Sequence, residues 1–385
     1  MNDISVIERE FKELDAWRTA PEFWPALPAQ AEGLIQRLRQ AKRQLIGHSA
    51  GGREIFALEY GEKEPIDAGT DNLHSALSAS LTPPDPTAIY PGSFYGMRRR
   101  RKPAVVFQGA IHGSELTGTV ASLNLCWIIE TGKDLRGKEW PRLRELARNS
   151  RIAIIPWLNM DGAMRSPWGQ FSGMPSAAAS CINLGVTREG AKLAYPAHKE
   201  LFPIAPSGMA FMGTYFNDAG VNLQYDFCSL AREPETCAWM DYYLDERPDG
   251  VVVWHCNAGS LIGPPGYYLP QGYQLQEARI GGVVRARLQR EGYVAGRMSW
   301  ANLPGLGKPV IDQTTAVYHV CGAAPIMCEL PAGCREYFFT LDDMLDIGLI
   351  VIEEILAYAH SDGLRPYELW EKVRKQTTKQ EPSQK

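Results

Sequence analysis

Long apolar runs are missing from this chain of 385 residues. No stretch approaches the roughly 20 residues of a membrane-spanning helix, so a membrane is not an expected partner. Cys-x-x-Cys pairs are missing too. The eight cysteines are Cys126, Cys181, Cys228, Cys237, Cys256, Cys321, Cys328 and Cys334. Most stand in apolar stretches and read as buried thiols, which favours a reducing cytoplasm over a disulfide framework. There is little excess of either charge. The net charge of -4 and pI of about 6.0 argue against nucleic acid or an anionic surface as partner. The polar start, Met1 to Glu8, has none of the apolar core of a signal peptide, so a cytoplasmic location is expected. No internal repeat is visible. What remains is 45% hydrophobic and 22% charged, a globular composition with ample core.

Residues 1 to about 45 have apolar positions three and four apart and predict a helical lead-in, broken at Pro21, Pro25 and Pro28. Gly51 to Tyr60 reads as a turn and a strand, one side of a hairpin. Residues 62–103 differ. Pro65, Pro83, Pro84, Pro86 and Pro91 stand among Gly, Ser, Thr and Asp, predicting a long loop insertion that ends in the basic run Arg98 to Lys102. That run could attract an acidic substrate to a nearby site, but reads first as a solvated loop. From 104 onward strands and helices alternate. Ala104–Phe107, Arg151–Pro156, Gly250–Trp254 and Pro325–Cys328 read as strands. Leu116–Glu130, Glu233–Glu246, Gln271–Glu291 and Leu341–His360 read as helices. Residues 162–220, rich in Gly, Ala, Ser and Pro, read as an extended loop region, and 371–385 as a disordered tail. Residues 46–370 are thus expected to form one α/β domain, with helices on both faces of a mostly parallel sheet.

The chemistry gathers around Gln108-Gly109-Ala110-Ile111-His112-Gly113-Ser114-Glu115. A strand leads into it and a helix leaves it, the usual place for a site in an α/β protein. His112 and Glu115 are both good zinc ligands, and a catalytic zinc takes three protein ligands and keeps one position open. A lone His-x-x-Glu arises often by chance, so a third ligand is needed. His255 directly follows Val251-Val252-Val253-Trp254, at the end of a second buried strand. Two parallel strands ending on one sheet edge can share an ion. Glu329 ends the strand Pro325–Cys328. It is either one half of a buried ion pair or a general base beside the metal. Asn159-Met160-Asp161-Gly162 reads as a turn whose Asn or Asp could also orient a metal-bound imidazole.

In this order the segments resemble the zinc carboxypeptidase (M14 metallopeptidase) family. The likeness runs from Gly47-His48-Ser49-Ala50-Gly51-Gly52-Arg53-Glu54-Ile55 through His112 and Glu115. It continues through Asn159-Met160-Asp161-Gly162, with Met for the family's Pro, and Gly220-Val221-Asn222-Leu223-Gln224-Tyr225, to Glu233-Pro234-Glu235-Thr236, His255 and Glu329. The resemblance implies a three-layer α/β/α sandwich with a mixed, mostly parallel sheet. It implies one zinc per chain, held by His112, Glu115 and His255, and Glu329 as the base that deprotonates a zinc-bound water. The implied reaction is hydrolysis of an amide bond in a peptide or acyl-amino-acid substrate. An N-acyl amino acid deacylase or amidase on the same fold, or a non-catalytic ligand-binding relative, stays open. Where the family has an Asn-Arg pair for the terminal carboxylate, this chain has Gln224-Tyr225, and a phenol makes no charge-assisted pair with a carboxylate. Arg165 and Arg188 are candidates for the arginine that polarises the carbonyl. Tyr318 is the candidate for the family's substrate-binding tyrosine.

Overall fold

A computed structural model describes residues 3–65, 101–195, 197–198, 203–257, 269, 271–293, 311–361 and 364. Most of the insertion expected at 62–103 and all of the tail expected at 371–385 lie outside these residues.

The lead-in is only partly helical. It holds a single turn, α1 (Ser5–Glu8), a 3-10 turn at Leu14–Trp17 and one regular helix, α2 (Pro28–Arg37). Pro28 opens α2 rather than breaking a helix. At the first helical position its missing N–H has no partner to lose. The segment then enters β1 (Lys42–His48), which pairs antiparallel with β2 (Glu54–Tyr60) across a tight turn. Gly52 supplies the positive φ of 76° that this turn requires.

Next come β3 (Ala104–Gln108), α3 (Thr117–Thr131), α4 (Pro141–Arg148) and β4 (Arg151–Ile155). The region read as loop is more structured than expected. It carries α5 (Met160–Arg165), α6 (Ser176–Leu184), and the strand pair β5 (Gly185–Thr187) and β6 (Met209–Met212). Alanine is the reason: Ala177, Ala178 and Ala179 count toward a loop-like composition, yet alanine is the best helix former. Beyond it lie α7 (Pro234–Glu246), β7 (Gly250–Asn257), α8 (Gln271–Arg290), α9 (Gln313–Cys321), β8 (Ala324–Pro331) and α10 (Leu341–His360).

The main sheet has the order β1-β2-β4-β3-β7-β8. β4, β3, β7 and β8 are parallel neighbours, and the β1–β2 hairpin adds antiparallel to β4. β3 and β4 are buried along their whole length, as parallel strands covered on both faces must be. Helices α3, α4, α8 and α10 pack together on one side, and α7 with α9 on the other, which gives the α/β/α layering. A second apolar cluster joins Ile7 and Leu14 of the lead-in to Trp168, Phe171, Ile182 and Phe211 around α6. Among the described residues, no helix is long and apolar enough to cross a membrane.

The topology places a crevice. From β3 the chain runs through α3 and α4 to β4 on one side. From β7 it runs through α8 and α9 to β8 on the other. Adjacent strands whose connections diverge open a cleft at their carboxyl ends. His112 follows β3, and His255 lies near the end of β7.

Candidate metal centre

Ala110 turns the chain out of β3 with φ of 48°, a left-handed conformation that costs a non-glycine residue about 1–2 kcal/mol. The surroundings hold it there. Gly109 N–H donates to Ile155 O at 2.8 Å, Asn159 N–H to Ala110 O at 2.9 Å, and Gly113 N–H to Thr214 O at 2.8 Å. This loop delivers His112 and Glu115 to the crevice.

Both imidazoles meet the Glu115 carboxylate. His112 Nδ1 lies 3.0 Å and His255 Nδ1 3.1 Å from Glu115 Oε2. The candidate ligand atoms of the three residues all lie within 4.8 Å of one another, and all three side chains are buried. Donors on a zinc tetrahedron, each about 2.0–2.2 Å from the ion, are roughly 3.3 Å apart. The donor set and its spacing therefore fit zinc. Burial pushes the Glu115 carboxyl up, but the His112 and His255 imidazoles outweigh it and hold the group well below the usual carboxylate range. The Cys256 backbone N–H adds a hydrogen bond to Oε2 at 3.1 Å.

Glu329 sits beside this group by strand register. It is the direct partner of His255 across the parallel β7–β8 pair, so the two side chains leave the same face of the sheet. Glu115 and Glu329 both line a cavity of about 340 Å³, together with Phe171, Asn183, Tyr195, Tyr215 and Asn257. This volume is at the small end of ligand pockets.

The other sequence candidates lie elsewhere. Arg165 does not reach the cavity: its guanidinium donates to Gly213 O and Phe216 O at 2.9 Å each and to Asp218 at 2.6 Å. It clamps a loop. Arg188 is exposed beside a separate cavity of about 230 Å³, next to Arg9 and Lys192. Gln224 is buried, with its backbone carbonyl accepting from Gln313 N–H at 2.7 Å, and neither it nor Tyr225 lines the cavity that Glu115 and Glu329 share. Tyr318 packs against Tyr273 with ring centroids 4.6 Å apart and planes tilted by 58°, also off that cavity. Each was sought by residue type and chain order, which do not fix where a side chain points.

Asn159 and Asp161 act on loops rather than on an imidazole. The Asn159 side chain accepts from Gly162 N–H at 2.8 Å. Asp161 is buried and accepts from Arg53 at 2.6 Å, Gly51 N–H at 2.9 Å and Asp218 N–H at 3.0 Å. That carboxylate ties three segments of the chain together. Tyr215, whose hydroxyl donates to Glu115 Oε1 at 2.6 Å, was not legible in the sequence. Nor were Tyr195, Asn183 and Asn257. They reach the cavity from a region read as loop or, for Asn257, from the last residue of β7, with no spacing to single them out.

Comparison with known proteins agrees with this geometry. Residues 34–278 match the zinc carboxypeptidase family of M14 peptidases. No curated protein sequence matches the chain. Among solved structures, a protein of Burkholderia mallei described as a carboxypeptidase covers 86% of this chain and 67% of its own, at 13% identity and TM-score 0.54. A metallo-carboxypeptidase from Burkholderia cenocepacia covers 86% and 68% at 15% identity and TM-score 0.51. One from Pseudomonas aeruginosa covers 88% and 70% at 14% identity and TM-score 0.51. At such identities these likenesses speak for the fold. The family match itself spans more than half of the chain, from α2 through the candidate metal centre into α8, and on that basis the protein belongs to the zinc carboxypeptidase family.

Proposed function

We propose that this chain is a zinc-dependent hydrolase of an amide bond, carboxypeptidase-like, with a peptide or acyl-amino-acid substrate. The observation that carries the reading is the in-register pairing of His255 with Glu329 at a cavity that Glu115 also lines. His112, Glu115 and His255 would hold one zinc, the imidazoles through the Nδ1 atoms they turn toward Glu115. Zinc bound there supplies a Lewis acid for a carbonyl oxygen and brings the pKa of a water toward neutrality. Glu329, half-buried and open to the cavity, accepts the proton released as water adds to the carbonyl carbon. Its acid form then returns that proton to the leaving nitrogen as the C–N bond breaks.

Among the described residues that line the cavity, the only charged groups are the carboxylates of Glu115 and Glu329. The other polar groups are amides, hydroxyls and thiols. That lining favours a substrate end that is neutral or blocked, and so keeps an N-acyl amino acid deacylase or amidase as the second reading.

The test is a hydrolysis screen of the zinc-loaded protein on peptides with free and amidated C-termini and on N-acyl amino acids, with Glu329→Gln beside the parent. The variant is expected to fold and keep zinc while losing turnover by roughly two to four orders of magnitude. Normal hydrolysis by the variant would remove Glu329 from the mechanism. A zinc-loaded parent inert on the whole panel would favour a ligand-binding relative.

A further inference from the structure

Tyr215 touches two of the three residues of the metal centre. Its hydroxyl donates to Glu115 Oε1 at 2.6 Å. Its ring lies flat on the His112 imidazole, with centroids 3.7 Å and planes 10° apart. Glu115 Oε2 has different neighbours: His112 Nδ1, His255 Nδ1 and the Cys256 N–H, at 3.0, 3.1 and 3.1 Å. The two oxygens of one carboxylate are thus divided. Oε1 faces the phenol, and Oε2 faces the point where the imidazole nitrogens converge.

We propose that Tyr215 is a positioning residue for the metal. Its hydroxyl sets the rotation of the Glu115 carboxylate so that Oε2 is presented to the ion, and its ring sets the plane of His112. This inference rests on the zinc reading above. A phenol has one proton, and here it is directed to Glu115 rather than into the cavity. Tyr215 therefore acts through a ligand and is not a substitute for a carbonyl-polarising arginine.

A tyrosine that merely filled space would need its ring but not this hydroxyl contact. The backbone that carries it is also closely held. Tyr215 N–H donates to Asn183 O at 3.0 Å, and Thr214 N–H to Ile182 O at 3.0 Å. The Asn159 side-chain amide donates to Thr214 O at 3.2 Å and Tyr215 O at 3.3 Å. A Cβ on Gly162 would stand 2.3 Å from Thr214 O, so glycine is what lets the turn approach this strand of chain. The Asn159-Met160-Asp161-Gly162 segment is thereby linked to the metal through Tyr215.

The test is zinc affinity, measured on apoprotein by competition with a colorimetric chelator. Tyr215→Phe keeps the ring and loses the hydroxyl, and is expected to weaken zinc binding by about 10–100-fold. Asn159→Asp keeps an acceptor for Gly162 N–H and loses both amide donations. It should weaken zinc in the same direction, by several-fold, and serves as the second arm if Tyr215→Phe folds poorly. Tyr242→Phe removes a comparable buried hydroxyl, bonded to Glu59 at 2.9 Å away from the site, and should leave zinc affinity unchanged. Zinc binding by Tyr215→Phe within about twofold of a zinc-binding parent, or an equal loss in Tyr242→Phe, overturns the inference alone. A folded parent that takes up no zinc overturns the metal reading and this inference together.

Discussion

Glu235 lies fully buried in the first turn of α7, where its carboxylate accepts from Ala50 N–H at 2.9 Å. Burial, joined by the charge of Asp161, pushes its carboxyl up to about 7 despite that hydrogen bond. In the unfolded chain it would titrate near 4.5. Between those values the folded protein binds more protons than the unfolded one, so this group's contribution to stability falls as pH rises through the window. The slope is at most about 1.4 kcal/mol per pH unit. Glu235→Gln should therefore flatten the decline between pH 5 and 8 in urea titrations; an unchanged profile would show that Glu235 ionises normally. His255 makes a second prediction at this scale. It is buried and supplies one of three candidate ligand atoms, so His255→Ala should lose most of the zinc when dialysed against a chelator. A variant with full zinc at the native site would sink the assignment. The ligand candidates were legible in the sequence because each stands at or just beyond the end of an apolar strand. Tyr215 was not, because a ring stacked on a partner a hundred residues away leaves no periodicity.

The four parallel strands and the four longest helices from 104 onward were legible for a physical reason: buried parallel strands must be runs of apolar residues, and Gly250–Trp254 is one. The alanine helix α6 was hidden by composition, and α2 by a proline that starts a helix as readily as it ends one. Close packing between elements is even less visible in sequence. In α3 a Cβ on Gly118 would meet Trp254 Cγ at 2.1 Å, and Trp254 is wholly buried and stacked on Phe107. Helix propensity alone predicts that Gly118→Ala stabilises by about 1 kcal/mol. Overpacking costs about 1–3 kcal/mol, and the neighbour is a large ring on a sheet strand rather than a flexible tip. We expect overpacking to win, with a net loss of up to about 2 kcal/mol in urea unfolding. Gly33→Ala in α2, where a Cβ meets nothing within 4 Å, is the control and should gain stability. A higher unfolding midpoint for Gly118→Ala would show that α3 can shift off β7.

At the scale of the whole molecule the question is which substrate end the cavity accepts. The resemblance supplied the fold and the order of the segments. It also implied a cation for the terminal carboxylate; Gln224 and Tyr225 stand at those positions, and the loop arginines that could supply a charge instead lie off the cavity. Arg165 holds the 213–218 loop, and Arg188 faces a different surface. Within the described lining, a free carboxylate would meet the charges of Glu115 and Glu329 without a protein cation to offset them. A charge-assisted hydrogen bond contributes about 1.5–3 kcal/mol against about 1 for a neutral one, so the forfeited preference is roughly two- to thirtyfold. Matched acid and amide substrates should therefore differ in kcat/KM by no more than about tenfold. Arg165→Ala should leave that ratio unchanged, even where it lowers stability by freeing the loop. An acid preference above about a hundredfold, unaffected by Arg165→Ala and Arg188→Ala, would show that a cation outside the described residues completes the pocket, and would return the chain to ordinary carboxypeptidase recognition.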